Sequence, residues 1–520
     1  MIFCLKESES AFFSWKIVRH MRRRSRFRIR TLSMIAFSAL YIFTNQLCGQ
    51  TFDQLIDSSL EYAKSQLEAY LSEQTVPGNY PYETSLDNHR WVFRGKDGWA
   101  SGYFIGSLWL MYQYHGDESW RSIAALWTKD MSLFGDNEPT DLAVRIFYSA
   151  GFCHRLTDDS SCMEILERAS NSLSGFYSDQ VKAIQCFPTS WSQYNFCVVT
   201  DFLLHMELLL YTYALTGRQS YLDIALHHTL KTLNYNMREN GSFYHVSDFD
   251  DSGELTGYNQ GFIQGYNLDP DSLEFGTWSR GQAWAVRALP IIYHYTGDTL
   301  HLNMAKKAAD YVIDNFPVSI YGDDDYVPYS DYFPDRFYTG NGKDASAASI
   351  ACAGLYDLAN LTDETKYKTA ADSILRNLCT KYITKDDPNN YASILKRTMH
   401  RYGASERGHI FADHFFIESL LLAKGYEIYK PVDMPSGLKE PVTGPVTCWP
   451  NPVNDLLFFN TGPDSVNDML VIYNLYGKVV LRKQVTRPLI SIDFSQFPSG
   501  MYLISVNGKH PCKVYRVIKQ

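Results

Sequence analysis

The sequence lacks an excess of positive charge, and it lacks a long apolar run. Lys and Arg number 48 against 57 Asp and Glu, which gives a net charge of -9. A surface that binds nucleic-acid phosphates needs the opposite balance. The apolar run at Leu32–Leu47 is shorter than the roughly 20 residues that cross a bilayer, and no later segment is longer. The sequence therefore predicts neither a nucleic-acid partner nor a stable membrane span.

Cysteine spacing typical of metal sites is also missing. The ten cysteines include no Cys-x-x-Cys pair and no Cys/His cluster at zinc spacing. The cysteines therefore predict no zinc site. Cys448 and Cys512 flank the C-terminal segment, and in an exported chain they either pair or remain buried thiols. The sequence leaves both possibilities open.

The N-terminal residues have the pattern of an export signal. A basic stretch at Met21–Arg26 precedes the apolar run Leu32–Leu47, and small residues follow near Cys48. Residues 1–49 are predicted to be an upstream extension and a signal peptide, with Met21 as the true start. A lipoprotein anchor at Cys48 is the alternative, although Asn45 stands where such a signal has Leu.

A short polar turn recurs along residues 50–428. Each turn ends an apolar helical stretch and begins another helix, so each is typical of an αα-hairpin. Gly in several of them supplies the left-handed residue that ends a helix. The five turns are His115–Asp117, Thr157–Asp159, Thr216–Arg218, Thr296–Asp298 and Thr362–Glu364.

Two classes of helix alternate between these turns. One class is apolar and rich in small residues, as inner helices should be, and the other is amphipathic, as outer helices should be. The outer helices are predicted at residues 53–73, 118–133, 160–176, 219–237, 299–315 and 364–382. Six inner and six outer helices predict an all-α (α/α)6 toroid.

A conspicuous residue begins each inner helix. In a toroid all inner helices start at one rim, so these residues should converge on a pocket there. The alternative is that the acidic ones are only helix caps. The six residues are Trp99, Asp141, Asp201, Arg280, Asp344 and Asp413.

The composition changes after residue 428. Residues 429–447 are rich in Pro and Gly, which is typical of a linker. Residues 448–520 contain short strand-like runs separated by turn residues, which predict a small C-terminal β-sandwich. The runs begin at Leu456, Met469, Lys478, Leu489 and Met501.

Several motifs in residues 55–426 resemble glycoside hydrolase family 88, the unsaturated glucuronyl hydrolases. The most specific is Trp278–Trp284 (WSRGQAW), which is close to a motif of that family. Four others occur in compatible order: Trp99–Trp109 (WASGYFIGSLW), Asn240–His245 (NGSFYH), Lys343–Ile350 (KDASAASI) and Ala412–Glu418 (ADHFFIE). The family has the (α/α)6 fold that the helix pattern predicts.

The resemblance implies roles for individual residues. Asp201 would be the catalytic acid and base, and Asp141 would be its supporting aspartate. The substrate-binding residues would be Trp99, His245, Gln264, Arg280 and Trp284.

The resemblance also implies the reaction. The substrate would be an oligosaccharide that a polysaccharide lyase has released with a 4,5-unsaturated uronic acid at its non-reducing end. Protonation of C4 and addition of water at C5 would give a hemiketal, whose opening releases the next sugar. This reaction would need no metal and no organic cofactor. A second carboxylate raises the pKa of the acid, because two like charges resist joint ionisation.

The chain departs from the family pattern beside both aspartates. Thr140 replaces a His, and Phe202 and His205 replace two Asn. These departures bear on which sugar is bound. Two other activities remain open: a family 105-like unsaturated rhamnogalacturonyl hydrolase, and a non-catalytic surface protein that binds glycans.

The C-terminal residues resemble a type IX secretion sorting domain. The resemblance rests on Trp449–Asp455 (WPNPVND), Ile472–Lys478 (IYNLYGK) and Phe497–Tyr502 (FPSGMY), in that order. It implies that the partner, besides the oligosaccharide, is the type IX secretion machinery. The chain would then be secreted from, or held on the surface of, a Gram-negative bacterium.

Overall fold

The structure is a computed structural model. It describes residues 50–520 except 136–140, 188–193, 261–275, 323, 333–341, 400–405, 429–446, 450–452, 454–455, 461–467, 475, 486–488, 508–512 and 520. Residues 59–520 form one compact unit. Residues 1–58 form another, of which the described residues 50–58 include the start of the first helix. The predicted signal peptide lies outside the described residues, and so does the predicted linker except Thr447. Within the described part of the chain, no helix is long and apolar enough to cross a membrane.

The outer helices form where the amphipathic pattern predicted them. Their bounds agree with the predictions to within a few residues at each end. They are α1 Phe52–Glu73, α3 Glu118–Met131, α6 Ser161–Ser174, α8 Gln219–Tyr235, α10 Thr299–Asp314 and α13 Thr365–Asn377.

The inner helices are the apolar stretches that end at the polar turns. They are α2 Ser101–His115, the continuous helix α4 Leu142–Ile146 with α5 Phe152–Thr157, α7 Met206–Thr216, α9 Ser279–Thr296, α12 Ala345–Leu361 and α14 Ile410–Ala423. A π-helical turn, Phe147–Gly151, joins α4 to α5. One further short helix, α11 Pro317–Ile320, lies in a connection.

The polar turns end the inner helices as predicted. Gly116, Gly217 and Gly297 have φ values of 67°, 69° and 60°, and each closes its helix with a backbone hydrogen bond. Asp158 adopts the same left-handed conformation with φ 54°, although it carries a Cβ.

The inner helices close into a ring. Going round it, α2 packs against α4, α4 against α7, α7 against α9, α9 against α12, α12 against α14, and α14 against α2. Each inner helix from α2 to α12 also packs against the outer helix that follows it. The predicted (α/α)6 toroid is confirmed, and the N-terminal ends of the inner helices share one rim.

Buried charges join three of the inner helices. Arg287 on α9 lies 3.1 Å from the carboxylate of Asp357 on α12 and 2.7 Å from that of Glu418 on α14. His294 contacts Asp357 at 2.8 Å, and His414 contacts Glu418 at 3.5 Å. The opposite charges offset one another in a place where a single ion would be costly.

Small antiparallel sheets lie in the connections at the rim. Strands β1 Tyr80–Thr84 and β2 Trp91–Arg94 form a hairpin, and β3 Tyr177–Ser178 pairs with β4 Ala183–Ile184. A three-stranded sheet contains β5 Phe196–Val199, β6 Val246–Phe249 and β7 Leu255–Asn259.

The C-terminal residues form two antiparallel sheets. Their strands are β8 Thr447–Trp449, β9 Leu456–Asn460, β10 Met469–Asn474, β11 Val479–Gln484, β12 Leu489–Asp493, β13 Gly500–Asn507 and β14 Lys513–Lys519. One sheet has the strand order β11–β10–β13–β14, and the other has the order β12–β9–β8. A shared core that includes Leu457, Phe459, Ile472, Ile492 and Ile504 confirms the β-sandwich.

Candidate active site

A cavity of about 180 Å³ opens at the rim where the inner helices begin. A site of this volume suits one sugar ring. Most of the lining side chains are apolar or aromatic, and a few are charged, which is typical of a small-molecule site. They are Trp99, Tyr103, Asp141, Val144, Phe187, Asp201, Phe202, Leu204, His205, Trp278, Arg280 and Trp284.

Asp201 and His245 are brought together by a strand pairing. Asp201 lies in a 3-10 turn, Thr200–Leu203, directly after β5, and His245 directly precedes β6. The Thr200 N–H donates to the His245 carbonyl at 2.9 Å, which continues the antiparallel pairing of β5 with β6. As a result the imidazole Nε2 of His245 lies 3.2 Å from Oδ1 of Asp201.

The environments of Asp201 and His245 differ. The Asp201 side chain is 24% exposed, whereas the imidazole of His245 is buried and packs on the Trp278 ring at a centroid distance of 4.4 Å. Asn236 donates hydrogen bonds to Thr200 Oγ1 and to the His245 carbonyl. His245 is therefore fixed behind Asp201, and Asp201 faces the cavity.

Asp141 precedes α4 and makes no side-chain capping hydrogen bond. It reaches the cavity surface but is otherwise surrounded by protein atoms, and this burial raises its pKa to about 6. The Arg145 guanidinium opposes the rise, and the Asp201 carboxylate adds to it. The pair therefore resists joint ionisation, and it is Asp141 that holds a proton into the weakly acidic range.

Arg280 is buried in the second position of α9. Its guanidinium carbon lies 4.6 Å from the Trp278 ring centroid and 5.0 Å from that of Phe411. Its Nη1 donates to the Met399 carbonyl. Burial lowers the pKa of Arg280, and the carboxylates of Asp344 and Asp201 partly offset this effect. The Arg280 guanidinium is therefore a positively charged group that is fixed at the cavity wall.

Trp99 and Trp284 present aromatic surfaces to the cavity. The Trp99 ring packs on Phe411 at 5.0 Å, and its Nε1 donates to the Tyr82 hydroxyl at 3.2 Å. Trp284 packs edge-on against Phe415 at 5.4 Å. Rings held in this way offer rigid faces for the apolar side of a sugar.

Two of the six residues at the inner-helix starts have structural contacts. The Asp344 side chain accepts the N–H groups of Ser346 and Ala347 and so caps α12. The Asp413 carboxylate accepts the N–H groups of Ile394 and Leu395 at 2.9 Å. Neither residue lines the cavity. The contacts of Asp344 and Asp413 therefore indicate a structural role and not a place in the pocket.

The structure brings together six of the seven residues that the resemblance selected. Five of them line the cavity, and His245 contacts Asp201. The seventh, Gln264, lies outside the described residues, as does Thr140.

Sequence reasoning did not select Tyr103 and Phe187, although both line the cavity. Tyr103 lies one helical turn after Trp99 on the same face, and this spacing could have indicated it. The two residues that depart from the family pattern, Phe202 and His205, also line the cavity, and their rings stack at 3.9 Å.

The raised pKa of Asp141 makes the stability of the fold depend on pH. Between its unfolded value near 4 and about 6, the native state holds a proton that the unfolded chain has released, so stability falls as pH rises through this window. Asp141→Asn should remove up to about 3 kcal/mol of that fall in the free energy of unfolding. Urea unfolding at pH 4 and pH 6 measures the effect, with the exposed Asp97→Asn as control. If the free energy of unfolding depends on pH equally in wild type and in Asp141→Asn, the raised pKa of Asp141 is contradicted.

The toroid is similar in sequence to characterised hydrolases. It is 29% identical over 377 residues to the unsaturated glucuronyl hydrolase of Formosa agariphila, which covers 71% of this chain and 90% of that protein. It is 26% identical over 414 residues to the unsaturated chondroitin disaccharide hydrolase of Streptococcus pneumoniae, with 76% and 96% coverage.

Solved structures show the same fold. An unsaturated glucuronyl hydrolase specific for heparin matches with a TM-score of 0.62 and 24% identity, over 73% of this chain and all of that one. The unsaturated glucuronyl hydrolase of Bacillus sp. GL1 matches with the same TM-score and identity, over 74% of this chain and 98% of that one.

The C-terminal residues match a second family. Residues 447–520 fit the secretion system C-terminal sorting domain, and this confirms the predicted type IX secretion signal. The chain is therefore a glycoside hydrolase homologous to the unsaturated glucuronyl hydrolases of family 88, and it ends in a sorting domain for secretion.

Proposed function

We propose that this chain hydrolyses oligosaccharides that carry a 4,5-unsaturated uronic acid at the non-reducing end, and that it does so by hydrating the C4=C5 bond. The observation that supports this most is the placement of Asp141, Asp201 and Arg280 in one aromatic cavity the size of a single sugar ring. The relatives named for unsaturated uronyl substrates support the same activity. The substrate is one that a polysaccharide lyase releases.

The two aspartates divide the proton chemistry. The unsaturated ring is a vinyl ether, so a proton delivered to C4 leaves an oxocarbenium-like cation at C5. Asp201 delivers this proton and then deprotonates the water that attacks C5. Near pH 6 the two carboxyl groups hold one proton between them, because burial and the neighbouring carboxylate keep Asp141 protonated, and Asp201 takes up this proton before it delivers it to C4. The hemiketal at C5 then opens and releases the next sugar.

The remaining lining residues bind the sugar. Arg280 offers its charge to the uronate carboxylate. Trp99 and Trp284 stack on the sugar, and His245 orients Asp201. Gln264 is assigned to substrate binding through the family resemblance alone.

A panel of unsaturated disaccharides tests the proposal. Loss of ultraviolet absorbance reports loss of the double bond. We expect decay with unsaturated glucuronyl disaccharides, including sulfated ones, and slower decay with an unsaturated rhamnogalacturonyl disaccharide. A preference for the rhamnogalacturonyl substrate would indicate a family 105-like unsaturated rhamnogalacturonyl hydrolase instead. Binding without any decay would favour a glycan-binding role.

Tyr103 should contribute to substrate binding through its hydroxyl. The ring is fixed between Tyr148 at 4.7 Å and Trp284 at 6.3 Å, and among the described residues no group hydrogen-bonds to the hydroxyl. Burial raises the pKa of Tyr103, and Asp141 and Asp201 raise it further, so the hydroxyl stays a donor. Tyr103→Phe should raise KM about 3- to 10-fold, the value of one neutral hydrogen bond, with kcat nearly unchanged.

Steady-state kinetics on the preferred disaccharide measure this effect. Tyr148→Phe is the matched control, because Tyr148 packs against Tyr103 and does not line the cavity. An unchanged KM in Tyr103→Phe would show that the hydroxyl does not contact the sugar.

A further inference from the structure

Two buried cysteines lie next to each other across the turn between α5 and α6. Cys153 is on α5 and Cys162 is on α6, with exposed fractions of 4% and 2%. Their Sγ atoms and a carboxylate oxygen of Asp159 all lie within 4.8 Å of one another. The Cys153 sulfur also lies 3.9 Å from the Thr157 hydroxyl. Bond formation would bring the two sulfurs from within 4.8 Å to about 2.05 Å of each other.

Other described cysteines have backbone partners. The Cys352 thiol donates to the Ala371 carbonyl at 3.4 Å, and the Cys186 thiol donates to the Ile184 carbonyl at 3.7 Å. Cys197 is hydrogen-bonded to the backbone of Phe187. These thiols are satisfied where they stand and provide internal controls for the reactivity of Cys153 and Cys162.

The surroundings of Cys153 favour thiol–disulfide chemistry. The Cys162 thiol lowers the pKa of Cys153, burial opposes this effect, and the Thr157 hydroxyl lowers the pKa further. The thiolate is the form that attacks a disulfide, so Cys153 is the better nucleophile of the two. The sorting domain marks the chain for secretion, and exported chains meet oxidising conditions, under which disulfides persist.

We propose that Cys153 and Cys162 form a disulfide in the exported protein. The Cys153 thiolate attacks a sulfur of a protein disulfide oxidant and forms a mixed disulfide. Cys162, having lost its proton, then attacks the Cys153 sulfur and expels the oxidant as a dithiol. Two S–H bonds are lost, one S–S bond forms, and two electrons pass to the oxidant. The bridge ties the last turn of the helix that begins beside Asp141 to the following outer helix.

Peptide mapping tests the bridge directly. The full chain is incubated with oxidised glutathione, unfolded in N-ethylmaleimide without reductant, and digested. We expect the Cys153 and Cys162 peptides to be joined, with the mass of two hydrogens missing, while Cys352 carries the alkyl group. Alkylation of both Cys153 and Cys162 in most molecules would overturn the proposal.

A zinc site is the competing outcome, because two thiolates and a carboxylate are ligands for Zn²⁺. The reduced protein is titrated with Zn²⁺ alone, in parallel with Asp159→Asn. The proposal would be overturned in favour of a metal site if the thiols of the wild type resist oxidation and the wild type binds one Zn²⁺. In that case Asp159→Asn should bind Zn²⁺ more weakly than the wild type.

Thermal unfolding gives a second readout that is independent of glycosidase activity. A reductant should lower the Tm of the oxidised wild type by about 2–4 °C, since the bridge restricts the unfolded chain. The double variant Cys153→Ser/Cys162→Ser should show no such shift. A wild type whose Tm ignores the reductant would contradict the bridge.

Discussion

Asp201→Asn should lower kcat on the preferred unsaturated disaccharide by about 10³-fold, which is within the range that general acid–base catalysis contributes. The amide keeps the shape of the side chain but neither delivers nor accepts the required proton. The Asp201 side chain faces the cavity, and its contact with His245 at 3.2 Å holds it there, so the substitution removes chemistry rather than packing.

Binding and folding should survive in that variant. We expect a KM or Kd within a few-fold of wild type and an unchanged Tm, and Asp97→Asn on the exposed surface should behave as wild type throughout. Turnover by Asp201→Asn within tenfold of wild type would remove Asp201 from the mechanism. A similar loss in Asp141→Asn with Asp201→Asn still active would transfer the acid role to Asp141.

Arg287→Met should cost about 3–5 kcal/mol in the free energy of unfolding. The substitution leaves the carboxylates of Asp357 and Glu418 buried without the cation that lies 3.1 Å and 2.7 Å from them. Because these residues are on α9, α12 and α14, the loss is felt by three neighbouring inner helices of the ring. Urea unfolding measures the change.

The matched control is Arg121→Met. Arg121 pairs with Glu118 at 3.1 Å, but the two side chains are 46% and 69% exposed, so the pair should contribute less than about 1 kcal/mol. A cost below about 1 kcal/mol for Arg287→Met as well would show that the buried network does not stabilise the ring.

The fold could be predicted from the sequence because its signals are local. A left-handed Gly after each of three inner helices marks where the chain reverses, and the alternation of apolar and amphipathic helices then gives the toroid. The strand-like runs after residue 456 predicted the β-sandwich for the same reason. The strands β8 and β14 were missed.

The site could be predicted only in part. Trp99, Asp141, Asp201 and Arg280 converge as the helix starts predicted, but Asp344 and Asp413 turn to backbone N–H groups instead. A carboxylate at a helix start looks the same in sequence whether it caps or catalyses. Its role depends on whether the folded chain places backbone N–H groups within hydrogen-bonding distance of the carboxylate.

Long-range pairing also explains the contacts that the sequence did not reveal. The contact of His245 with Asp201 depends on the register of β5 with β6, and the Arg287 network depends on three helices separated along the chain. The family motifs named His245 without its geometry. The motif Trp99–Trp109 contains Tyr103 but assigned it no role, although this residue lines the same cavity.

The most direct test of the proposed activity is the ultraviolet absorbance of an unsaturated glucuronyl disaccharide incubated with the full chain at pH 6. Hydration of the double bond predicts that absorbance decays as the second sugar is released in equal amount, and that Asp201→Asn abolishes both. Absorbance that stays constant with wild-type protein across the whole panel of unsaturated disaccharides would contradict it.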